Sequence, residues 1–178
     1  MPSRRQALGT GLAALGIAAT PELFAAPKKP GETRVLFLMG DYFHNPVSQQ
    51  KNWYTVLHPA GWTLMFAQGA QFITPEALAQ ADLFVFSRYH KTNSLGWSPE
   101  PIIEQWPDEE TVMLPEREKA IIANVERGMG LLAVHCAIWN NEHPDIMKLL
   151  GVSKSYMHTP VQPSYLHKLN PAHPITQG

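Results

Sequence analysis

Three short runs without a polar residue constrain this chain more than any other feature: "VLFLM" (35–39), "LFVF" (83–86) and "LLAV" (131–134). Each is too short for a buried helix. Each is also continuous rather than alternating, the pattern of a strand covered on both faces. "WTLMFA" (62–67) supplies a further strand. The segments between carry helix signals. "SQQKNWYTVLHPAG" reads as a helix capped by Ser48, with Trp53, Val56 and Leu57 on one face and Gly61 past its end. "TPEALAQ" places Thr74 as a cap, Pro75 at the first turn and Glu76 after it. "LPEREKAIIANVERG" turns Ile121, Ile122 and Val125 inward and stops at Gly128, and "HPDIMKLLG" is a short helix closed by Gly151. "SYLHKL" (164–169) reads as a fifth strand, with Tyr165 and His167 on one face. Strands and helices in alternation predict an α/β fold: a doubly wound, mostly parallel sheet with helices on both faces. Residues 88–113 break the rhythm with a long excursion containing Pro and Trp, a length at which loops usually carry function.

The first 26 residues belong to a different kind of segment. Paired arginines, Arg4 and Arg5, precede a mild Gly/Ala-rich apolar stretch that is too short to span a bilayer. Ser-Arg-Arg before such a core reads as an export signal of the twin-arginine type, which places the mature protein in the periplasm or otherwise outside the cytoplasm. Residues 27–33, "PKKPGET", read as a polar linker, and 34–178 as one domain. The formal net charge of -1, without a basic block, gives no footprint for nucleic acid or for an anionic membrane. The single cysteine, Cys136, excludes an internal disulfide in an oxidising compartment. It is then buried, paired between chains, or used chemically.

In open parallel sheets ligands bind beyond the carboxyl ends of the strands. The reactive side chains collect at that edge. His44 follows the first strand, and Arg88, Tyr89 and His90 follow the third. His135 and Cys136 close the fourth, and His158 and His173 flank the fifth. His135, delivered by a buried strand, reads more readily as a site residue than as a core histidine. Cys136 reads equally as a small core hydrophobe and as a reactive thiol. Metal motifs with fixed spacing are missing, yet a divalent metal held by converging histidines (His44, His135, His158) fits the same edge. No G-x-G-x-x-G follows the first strand, so there is no dinucleotide motif. "AVHCA" (133–137) is comparable to a strained strand-to-helix elbow, with His135 or Cys136 at the apex and small neighbours in Ala133 and Ala137.

Four segments together resemble the trehalose-utilisation (ThuA-like) family of the class I glutamine amidotransferase-like superfamily. They are the first strand with its His44 loop, "GMGLLAVHCA", "LLGVSKSYMH" and "NPAHPITQG". The resemblance spans roughly residues 34 to 178. It implies a flavodoxin-like sandwich and a role in carbohydrate utilisation, on a disaccharide such as trehalose or its 3-keto derivative, with a sugar oxidoreductase as pathway partner. In the amidotransferases the elbow carries a catalytic cysteine. Here His135 takes the apex and Cys136 comes one position later, so glutaminase activity is not expected. The family continues past "HPITQG" with an acidic segment, so the expectation is a domain lacking its C-terminal end.

The reading that follows makes His135 and Cys136 the reactive pair and His44, Trp139, His158 and His173 the substrate-binding residues, with Trp139 or Trp97 stacking on a sugar face. A 3-keto sugar has an acidified C–H beside its carbonyl, which a positioned imidazole can deprotonate to begin glycosidic cleavage or isomerisation. Two other readings are a sugar-binding accessory module without catalysis and a thiol-dependent hydrolase using Cys136.

Overall fold

Six consecutive residues, Arg34–Met39, form β1, and all six are buried. A strand buried on both faces must be central, and β1 is: it pairs in parallel with β2 (Thr63–Ala67) on one side and with β3 (Leu83–Ser87) on the other. The computed structural model describes residues 21–41, 44–88, 91–92, 110–111, 113–141, 144–152 and 171–174. Two residue pairs, Lys91–Thr92 (β4) and Glu110–Thr111 (β5), form a small antiparallel ladder, so the excursion after β3 leaves and returns as a ribbon. The main sheet is completed by β6 (Gly130–Ala133), parallel to β3. Its order is β2-β1-β3-β6, all parallel. This is the expected doubly wound, flavodoxin-like α/β arrangement. The strand order reverses between β1 and β3, and there the carboxyl ends open a crevice.

Alternate residues of the central strands feed two cores. Val35, Phe37, Met39 and Val85 face one way, packed by Trp53 and Leu57 of α2 (Pro46–Leu57). Leu36, Leu38, Phe84 and Phe86 face the other way. Their cover is α1 (Pro21–Ala25) through Phe24, α3 (Pro75–Ala79) through Ala77 and Leu78, α4 (Pro115–Glu126) through Ile121, and α5 (Pro144–Leu149) through Ile146. Glu118 of α4 is itself buried. Its carboxylate accepts from the backbone N–H groups of Asp145 and Ile146, capping α5 from a neighbouring helix.

Most element expectations hold, and three need correction. The cap of α2 is Asn45, not Ser48: its side-chain oxygen accepts from Val47 N at 2.9 Å and Ser48 N at 3.1 Å, ahead of Pro46, which has no N–H to leave unpaired. Val56 points to solvent at 68% exposure, because the face of α2 toward the sheet is filled by the larger Trp53 and Leu57. The strand at 131–134 is only half-buried, with Leu132 39% exposed, since β6 is the outer strand of the described sheet. The strand expected at 164–169 lies outside the described residues. Residues 27–33 are anchored: Lys28 bonds Gln80 through its N–H and Asp82 through its ammonium, and Arg34 holds Glu32 and the Ala26 carbonyl. Phe24, inside the segment read as export signal, is buried and stacks on Phe72 at 5.0 Å. Among the described residues no helix is long and apolar enough to cross a membrane.

Candidate functional site

The chain leaves β1 through Gly40, at φ +77°. A side chain there would place its Cβ 2.5 Å from Pro46 Cβ, so only glycine lets the turn fold this closely onto the start of α2. That turn is tied by reciprocal backbone bonds between Asp41 and His44, each 3.2 Å. The Asp41 carboxylate accepts from His44 N at 3.0 Å and also holds the imidazole, with Nδ1 at 2.6 and 2.7 Å from its two oxygens. Asp41 is 1% exposed and His44 half-buried. Hydrogen bonding to Asp41 is the largest cause, and hydrogen bonding to Cys136 the next, of a His44 pKa raised from 6.5 to about 10. Partial burial opposes the rise.

The opposite wall comes from the end of β6. The run stops at His135, which has φ +56° and is the only non-glycine in the left-handed region among the described residues. Such a conformation costs on the order of 1–3 kcal/mol and persists where the surroundings enforce it. It turns the strand directly into a 3₁₀ segment, His135–Asn141. The elbow apex is therefore His135, and Cys136 follows it. His135 is exposed and Cys136 buried. The two imidazoles meet edge to face, ring centroids 5.0 Å apart. The Cys136 sulfur lies 3.6 Å from Nδ1 and 3.8 Å from Nε2 of His44. Near-equal distances leave the sulfur within hydrogen-bonding reach of both nitrogens and on the axis of neither.

These groups floor a cavity of about 430 Å³, lined by His44, Gln49, Asn52, Trp53, Ser87, Val134, His135 and Cys136. It lies at the strand-order switch, where the β1 turn, the end of β3 and the β6 elbow converge. The volume suits a small organic ligand. Gln49, Asn52 and Trp53 give its lining two amides and an indole.

Of the expected site residues, His44, His135 and Cys136 come together. Trp139 lies in the 3₁₀ segment, and its side chain is outside the described residues, as are His90, Trp97 and His158. His173 is exposed and does not line the cavity. Asp41, Gln49, Asn52 and Trp53 were not singled out as site residues from the sequence. For Asp41 a signal exists: a short polar side chain just after a glycine, in a turn whose own backbone it can bond. Trp53 reads as core because it is both; its ring packs on Phe37 at 5.5 Å while it lines the cavity. Compared with protein-family models, curated proteins and solved structures, the chain matches none.

Proposed function

We propose that this cavity binds a small carbohydrate and that its two imidazoles move protons on it, as the resemblance to the trehalose-utilisation family suggests. The observation that supports the reading is a cavity at the strand ends whose lining joins an imidazole pair to the amides of Gln49 and Asn52 and the indole of Trp53. An indole covers the apolar face of a pyranose. Asn52, also lining the cavity, offers an amide that both donates and accepts.

With a 3-keto disaccharide in place, His135 takes the proton from the carbon beside the ketone. The electron pair moves onto the carbonyl oxygen as an enolate, which the N–H of His44 stabilises; Asp41 holds that ring in place. When the enolate collapses back to the ketone, it expels the glycosidic oxygen from the neighbouring carbon. That oxygen leaves with the proton that His135 took, which returns the imidazole to its basic form and gives an unsaturated keto sugar and a free sugar. Cys136 has no role as a nucleophile in this scheme, consistent with its burial.

The test incubates the full chain with 3-keto-trehalose, with and without a chelator, and follows glucose release. Turnover lost in His135→Ala while sugar binding remains supports the scheme. Binding without any product in the wild type supports the accessory module instead. Inactivation by iodoacetamide on Cys136, with His135→Ala still active, favours the thiol hydrolase.

A further inference from the structure

His135 and Cys136 are neighbours in the chain, yet both line one cavity. Consecutive residues of an extended strand point to opposite faces. The left-handed backbone of His135 breaks that alternation and brings an imidazole and a thiol to the same side. His44 reaches the same place from the β1 turn. One donor atom from each residue, two imidazole nitrogens and the sulfur, all lie within 4.8 Å of one another, and no other such trio of His, Cys, Asp or Glu exists among the described residues.

Two imidazoles and a thiolate form a borderline-soft donor set, the kind that selects zinc-like ions over magnesium or calcium. With bonds of about 2.0–2.1 Å to nitrogen and about 2.3 Å to sulfur, a tetrahedral ion holds these donors roughly 3.3–3.6 Å apart. The separation of Cys136 Sγ and His44 Nε2, 3.8 Å, is about 0.2 Å beyond that range, while the trio's outer limit of 4.8 Å has to close by about 1 Å. Asp41 on Nδ1 supplies what metal-bound imidazoles usually have, a carboxylate on the far nitrogen that fixes the tautomer and leaves Nε2 for the ion. Loading draws the sulfur away from Nδ1 and toward Nε2.

We propose that His44, His135 and Cys136 form a three-ligand site for a thiophilic divalent cation of the zinc type, its fourth position open to the cavity. Binding itself is independent of the carbohydrate reading. Its consequence rests on that reading: an ion holding both imidazoles takes the lone pair that His135 uses as a base, so the loaded protein is silent in proton transfer and a chelator restores it.

The experiment titrates chelator-treated full chain with cobalt(II) and, separately, with zinc(II). The expected result is one ion per chain at micromolar concentration, with an intense near-ultraviolet thiolate-to-cobalt band. Cys136→Ser abolishes the band, and Asp41→Asn weakens binding about 10–100-fold. His135→Gly, whose backbone suits glycine, keeps the fold and also loses tight binding. No saturable ion at micromolar cobalt or zinc, or a cobalt spectrum unchanged by Cys136→Ser, overturns the proposal. A formed cobalt site in a protein that binds no sugar refutes only the carbohydrate reading. Sugar turnover indifferent to zinc refutes only the silencing.

Discussion

At His135 stability and placement pull in opposite directions. The +56° φ is unfavourable for a side chain bearing a Cβ, yet it is what puts the imidazole into the cavity. His135→Gly is therefore expected to hold or raise thermal stability, by up to about 1 kcal/mol, while abolishing turnover of a 3-keto disaccharide. A stability loss in that variant would mean that the imidazole packs more than it strains. Asp41 and His44 offer a second residue-level test. The raised pKa of His44 means that its contribution to stability is fully present below pH 6.5 and is lost as pH rises through about 10. In metal-free protein, the imidazole resonances of His44 should titrate near pH 10, and Asp41→Asn should bring the midpoint back toward 6.5. An unchanged midpoint would remove Asp41 as the cause.

Elements, rather than single residues, bring these groups within reach. Gly40 lets the β1 turn fold onto Pro46, and the same turn caps α2 through Asn45, so the sheet, His44 and the Gln49–Trp53 wall are set by one short stretch. Gly40→Ala should cost about 1–3 kcal/mol from backbone strain alone, more with the overlap at Pro46, and should weaken sugar binding; urea denaturation and calorimetry check the two effects. The fold was legible because its signals are local: uninterrupted apolar runs for β1 and β3, Thr74 and Pro75 opening α3, and Gly128 ending α4. Exposure was less legible. Leu132 sits in an apolar run like those of β1, and only the strand order makes β6 an outer strand. The site was half legible for the same reason. His44, His135 and Cys136 stand at strand ends, where sequence position alone suggests function. Gln49 and Trp53 sit inside an amphipathic helix, and their turn toward the cavity depends on how α2 crosses the sheet.

Across the whole molecule, the cavity is assembled from segments far apart in the chain, with His44 and Cys136 separated by 92 positions. Its geometry therefore depends on intact packing of both cores around β1. Phe24 extends one of those cores ahead of residue 27, so a chain beginning at residue 21 should be more stable than one beginning at 27. The expected gain is about 1.5–3 kcal/mol from burial of one aromatic side chain, read by chemical denaturation. Equal stability would show that Phe24 adds nothing to the core. Proton exchange by the imidazole pair beside a sugar ketone, as proposed above, is read in deuterium oxide. Chelator-treated protein is incubated with 3-keto-trehalose, and the carbon beside the ketone is followed by proton NMR. The account predicts protein-dependent deuterium incorporation at that carbon, or its loss into the eliminated product, and neither in His135→Gly. A sugar that binds yet keeps its proton, or exchange that persists in His135→Gly, would contradict it.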